Sequence, residues 1–123
     1  MIKGLIIGHR DIGKAVIEAL ESISGHAEHV DCISNEGLST EDLAEKIMSF
    51  CSINCQDGII LFVDVFGGSC WRAAKKAKSS NAHIVTGLNL PMLLSFVQKR
   101  ETLSIDELPS VMDADGKRAI MND

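Results

Sequence analysis

His9 and Asp64 each stand at the carboxyl end of an apolar run, and that shared placement makes them the chemically suggestive pair in this sequence. His9 follows Ile2-Lys3-Gly4-Leu5-Ile6-Ile7-Gly8, and Asp64 closes Gly58-Ile59-Ile60-Leu61-Phe62-Val63. A neutral imidazole can serve as general base, metal ligand or phosphoryl acceptor. A carboxylate accepting Nδ1–H from it fixes the tautomer and leaves Nε2 as the nucleophile. Downstream, Gly67-Gly68-Ser69 opens a helical pattern. Paired glycines let backbone N–H groups crowd toward an anion, and a helix start adds partial positive charge. Ser69 can cap that helix or offer its hydroxyl to the same anion. Read singly, these are a surface histidine, a loop-ordering aspartate and a tight turn. Read together, they are nucleophile, orienter and anion cradle.

Cys70 adds a second possibility, since a thiol at a helix start can be acidified. A Cys70–His9–Asp64 hydrolase is conceivable, although no local cysteine-hydrolase signature accompanies it and a small apolar filler is the plainer reading. The other cysteines, Cys32, Cys51 and Cys55, form no C-x-x-C pair, and Cys51 and Cys55 at i,i+4 supply too few ligands for a helical metal site. Reduced thiols and a cytoplasmic setting are expected. His26 and His29 lie near Asp31 but in a loop, which favours solvated side chains. His83 opens the fourth strand, at the end away from the site. No metal and no cofactor are expected.

The elements that must position this pair alternate between strand and helix. Ile2 to Ile7 and Gly58 to Asp64 are too uniformly apolar for half-exposed strands, so both should be covered on two faces. His29 to Ser34 and His83 to Thr86 read as flanking strands. Ile12, Ala15, Val16, Ala19, Leu20 and Ile23 form a helical stripe that Gly25 stops. Ser39 or Thr40 caps a second helix, with Leu43, Ala44, Ile47, Met48 and Cys51 as its buried side. Ala73, Ala74 and Ala77 form the inner side of a third, opposite Lys75, Lys76 and Lys78. Pro91 starts a fourth, Met92 to Arg100. In the tail, Ser104 caps a short helix that Pro109 and Gly116 interrupt, and Ala119-Ile120-Met121 forms a short terminal edge strand.

Four such units imply a doubly wound, mainly parallel α/β sheet of order 2-1-3-4 with helices on both faces. In such sheets ligands bind where the chain reverses direction, beyond the strand carboxyl ends. The loops flanking that point carry His9 and Asp64-Val65-Phe66-Gly67-Gly68-Ser69. At 123 residues the chain suits one domain, 1–123. A formal net charge of −5, 4% aromatic residues and no tyrosine argue against nucleic acid and an anionic membrane surface as partners. No apolar run approaches the ~20 residues of a membrane span, and the N-terminus does not read as a signal peptide.

On these residues the chain resembles the enzyme IIA domain of the mannose/fructose/sorbose family of the bacterial phosphoenolpyruvate-dependent sugar phosphotransferase system. The specific pieces are Leu61-Phe62-Val63-Asp64-Val65-Phe66-Gly67-Gly68-Ser69 with Ala73-Ala74, Val85-Thr86-Gly87-Leu88-Asn89-Leu90-Pro91-Met92-Leu93, and His9 after the first strand. The resemblance runs from Met1 to about Arg100. It implies that His9 takes a phosphoryl group at Nε2 from a phosphorylated histidine carrier protein and passes it to an enzyme IIB partner. Asp64 would hold the imidazole, and Ser69 would lie beside the phosphate. A homodimer is implied as well, its C-terminal strand crossing to the partner's sheet. Visiting proteins must reach Nε2, so an exposed apolar rim is expected, with Phe66, Pro91 and Met92 as its members. Three departures stand out. Gly8 and Arg10 replace a small hydroxyl residue and a glycine around the histidine, Cys70 replaces a proline, and Arg72 replaces a small polar residue. The two guanidiniums either strengthen anion binding or alter partner choice. The same residues also suit a regulatory module in which phosphorylation of His9 signals rather than transports.

Overall fold

The computed structural model describes residues 1–54 and 56–123. Cys55, four residues after Cys51 and read from the sequence as a reduced thiol, lies outside the described residues. Elements alternate as β1 (Lys3–Gly8), α1 (Ile12–Ser24), β2 (Val30–Ser34), α2 (Thr40–Asn54), β3 (Ile59–Val63), α3 (Ser69–Ala77), β4 (Ala82–Thr86), α4 (Leu90–Lys99) and α5 (Leu108–Arg118). All pairings are parallel, in the order β2-β1-β3-β4.

The central strands behave as their apolarity demands. From Gly4 to Gly8 and from Ile59 to Val63 every residue is buried, whereas β2 and β4 at the edges are partly open. Strand alternation divides the core in two. Leu5, Ile7, Ile59, Leu61 and Val63 point to the side covered by α2 and α3, packing with Leu43, Ile47, Ala73 and Ala74. Ile6, Ile60 and Phe62 point to the other side, where α1, α4 and α5 supply Leu20, Leu93, Phe96, Leu108 and Met112. Phe62 and Phe96 meet edge-on there, with ring centroids 5.2 Å apart.

Four expectations need correction. On α1, Ile12, Ala15 and Ile23 are exposed, and the buried positions are Gly13 and Leu20. Gly13 sits against Cys32 of β2, so the helix rests on its smallest residue and its apolar arc is wider than the strip it buries. On α2, Met48 is exposed while Leu43, Ala44, Ile47 and Cys51 are buried; Ser39 caps this helix, its Oγ accepting from Asp42 N–H at 3.1 Å.

The tail is helical through Gly116. Ser104 and Glu107 exchange bonds, Ser104 N–H to Oε1 at 3.0 Å and Glu107 N–H to Oγ at 3.2 Å, a capping box that launches the turn before α5. Pro109 lies in the first turn, where its missing N–H costs nothing. Gly116 is buried with Met92 close against it and its carbonyl accepts from Asn89 Nδ2 at 3.0 Å, so it lets α5 approach α4 rather than break. Ala119 to Met121 form no strand in this chain, and the side chains of Ile120 and Met121 are exposed.

Gly58, at the entry to β3, adopts φ +97°, and a Cβ there would lie 2.6 Å from Ile105 Cγ1. Both the backbone and the space require glycine. Gly58→Ala is expected to lower unfolding free energy by about 2–4 kcal/mol, read from urea denaturation; a loss below about 1 kcal/mol would contradict this packing.

Candidate functional site

The register of β1 against β3 builds the site. Ile7 pairs with Val63, so Gly8, the last residue of β1, and Asp64, the first beyond β3, come side by side, and His9 follows at once. His9 donates twice to the same oxygen, its backbone N–H reaching Asp64 Oδ2 at 2.9 Å and its Nδ1 at 2.7 Å. Asp64 Oδ1 accepts Val65 N–H at 2.9 Å. The carboxylate side chain is 7% exposed and the imidazole 47% exposed. With Nδ1–H committed to Asp64, Nε2 carries the free lone pair, the tautomer suited to nucleophilic attack from the exposed edge.

The glycine loop faces this ring. A Cβ added at Gly68 would lie 3.9 Å from His9 Cε1, the carbon between the two nitrogens. Gly67 has φ +87°, a left-handed turn natural to glycine. Gly68 takes the N-cap position of α3 in extended conformation, so Ser69 is the first helical residue rather than the cap. Arg72 is tied to this loop twice, through its backbone N–H to Gly68 O and through Nη1 to Gly67 O, both at 3.0 Å.

Arg10 occupies φ +52°, a left-handed conformation unfavourable for a side chain with Cβ. Its backbone N–H is accepted by Asn35 Oδ1 at 3.2 Å, and Asn35 N–H in turn reaches Gly8 O at 3.1 Å. Asn35 therefore braces the histidine loop from the end of β2. Sequence reasoning missed Asn35, and its place directly after a strand adjoining β1 was the available signal. Gly8 is close-packed, because a Cβ there would lie 2.5 Å from Ile12 Cγ2.

Among the predicted rim residues, Phe66 is 70% exposed and packs on Trp71, ring centroids 4.8 Å apart. Val65, on the same loop, and Ile12, at the start of α1, are also exposed and apolar. Met92 is a correction: at 4% exposure it is a core residue against Gly116 and offers no face to a partner. Pro91 is exposed but lies in the first turn of α4, which follows β4, two strands from β1, and there it borders a groove of about 500 Å³ with Leu94, Lys99 and Arg118.

The Cys70 hydrolase is also overturned. Burial, reinforced by the Asp64 charge, pushes the Cys70 thiol up to about 11, so it stays protonated at neutral pH. Its Sγ lies 3.8 Å from His9 Nδ1, the nitrogen already committed to Asp64, which leaves no base for it. His9, Asp64 and Cys70 do place one ligand atom each within 4.8 Å of one another. In the 2.7 Å imidazole–carboxylate hydrogen bond Nδ1 carries the shared proton, so it has no lone pair to offer an ion. His26 pairs with Glu28 at 3.0 Å in an exposed loop, and His83 lies 4.0 Å from Asp106, so neither joins the site.

With this geometry in view, the sequence comparisons are decisive. The EIIA-man family, described as PTS system fructose IIA component, matches residues 3–112. This chain belongs to that family. It is 30% identical over 111 residues to the sorbose-specific EIIA component of Lacticaseibacillus casei, covering 86% of this chain and 79% of the relative. Against the fructose-specific EIIA component of Bacillus subtilis it is 31% identical over 114 residues, covering 88% and 77%. The crystal structure of an EIIA phosphotransferase component from Streptococcus agalactiae superposes with a TM-score of 0.85 at 25% identity, covering 99% of this chain and 97% of that one. The protein is thus an EIIA component of the mannose family, and no helix among its described residues is long and apolar enough to cross a membrane.

Because the raised Cys70 thiol binds its proton more tightly folded than unfolded, it stabilises the fold fully below pH 9 and progressively less as pH rises toward 11. Iodoacetamide at pH 8 is expected to spare Cys70 in the folded EIIA component and to modify it after denaturation. Rapid alkylation of the native thiol, mapped by peptide mass, would contradict this environment.

Proposed function

We propose that this EIIA component, with residues 1–123 acting as one domain in the cytoplasm, carries phosphoryl groups on His9 Nε2. The donor is a phosphorylated histidine carrier protein, and the recipient is an enzyme IIB subunit serving sugar uptake. The observation that carries the proposal is the double hydrogen bond from His9 to Asp64 Oδ2, which leaves Nε2 as the free nitrogen on an exposed ring.

In the forward step the Nε2 lone pair attacks phosphorus as the donor's P–N bond breaks, and that bond's electron pair returns to the donor imidazole. His9 then bears Nδ1–H and Nε2–P together and is cationic. Asp64, nearly buried beside it, offsets that charge without accepting the proton. Because a cationic phosphoimidazole is a good leaving group, the acceptor's nucleophile can repeat the step in the other direction. Positioning and charge compensation therefore supply the catalysis. Gly67, Gly68 and Ser69 line the phosphoryl side, and Phe66, with Arg10 and Arg72, forms the surface a partner meets.

Incubation with phosphoenolpyruvate and its carrier proteins is expected to add one acid-labile phosphoryl group, mapped to His9 by mass spectrometry and missing from His9→Ala. An adduct that persists in His9→Ala would overturn the proposal. Asp64→Asn keeps the size and one acceptor oxygen but loses the charge, and transfer should slow on the order of 10²-fold. Unchanged kinetics in a folded Asp64→Asn protein would remove Asp64 from the mechanism.

The same reading includes a homodimer. Ile120 and Met121 are exposed, and β4 leaves one edge unpaired, the arrangement expected if the tail forms its strand only on a second copy. Removal of residues 119–123 should then shift sedimentation from dimer to monomer; a dimer that survives the truncation would place the interface elsewhere.

A further inference from the structure

Of the two arginines that flank the phosphoryl site, only Arg72 has a fixed guanidinium. Arg10 has its backbone held by Asn35, but its side chain has no hydrogen bond or ion pair among the described residues. Arg72 donates from Nη1 to Gly67 O and from its backbone to Gly68 O, so its side chain folds back over the loop that faces His9. A guanidinium carries five donors, and the Gly67 bond uses one, which leaves others for an anion.

The first turn of α3 contains no acidic residue, and Arg72 adds a cation near the positive end of that helix. Asp64, the carboxylate at this site, accepts from His9 and Val65 and keeps its charge. A dianionic phosphoryl group on Nε2 would bring further negative charge for Arg72 to meet. Meanwhile the Gly67 tether fixes the left-handed turn that presents Gly68 to the ring.

We propose that Arg72 is a positioning residue for the transfer, locking the Gly67–Gly68 turn and directing its remaining guanidinium donors to the phosphoryl group on His9. The inference rests on the phosphocarrier reading above. It goes further in turning Arg72 from the partner surface to the phosphoryl group, as the charge that stabilises the phosphorylated state.

The test uses the whole protein phosphorylated chemically with phosphoramidate, which needs no protein donor, and follows the phosphoryl group by phosphorus NMR as a function of pH. A cation beside the phosphoryl oxygens favours their dianion, so Arg72→Ala should raise the second phosphoryl pKa by roughly one unit. Arg72→Lys keeps the charge but loses the fork, and should recover about half of that shift. A role confined to folding would leave this titration unmoved. Superimposable curves for the parent protein and a folded Arg72→Ala would overturn the inference while leaving His9 as acceptor. If the parent accepts phosphoryl from phosphoramidate but never from the carrier protein, the phosphocarrier reading fails instead. If His9 accepts it from neither, both fail.

Discussion

Asp64 Oδ2 accepts two hydrogen bonds from one residue, the backbone and the imidazole of His9, and the arrangement of the site follows from that constraint. It selects the tautomer, leaves Nε2 as the free nitrogen of a half-exposed ring and places a nearly buried negative charge beside that ring. The contact exists because β1 and β3 are adjacent, parallel and in register at Ile7 and Val63. A slip of one residue would turn the Asp64 side chain to the opposite face of the sheet. Strands buried on both faces by two separate helical layers resist such a slip, so the core protects the chemistry from a distance.

Around that contact the loops divide their tasks. The histidine loop is braced by Asn35 at the cost of a left-handed backbone at Arg10, a strain of the kind that concentrates at functional sites. The glycine loop opens toward the imidazole edge and is tied down by Arg72. Phe66 stands clear of both and is steadied by Trp71, as an aromatic anchor for a visiting surface would be. Cys70 beneath the ring is sealed and protonated, and its proximity to His9 is a packing relation rather than a catalytic one.

Strand order, the switch point and the pairing of His9 with Asp64 were legible in the sequence, because continuous apolar runs identify central strands and parallel crossovers leave few topologies. The tail was misread. Pro109 and Gly116 are breakers by propensity, yet one occupies a first turn and the other a close helix–helix approach, and position reversed their meaning. The stripe on α1 was misread for a related reason. Ile12, Ala15 and Ile23 share the helical period, but the buried line passes through Gly13, whose missing side chain carries no apolar signal.

By itself, then, the chain's order of residues determined which strands are central and which side chains end them, since local apolarity and period are properties of contiguous segments. Only the tertiary structure decided that Met92 is core, that Arg72 rather than Arg10 is anchored at the glycine loop, and that Asn35 supports the histidine. Each of those facts depends on a neighbour distant in sequence or on a backbone dihedral. Pairwise distance and left-handed geometry come into being only when the packed sheet brings separate loops to one end.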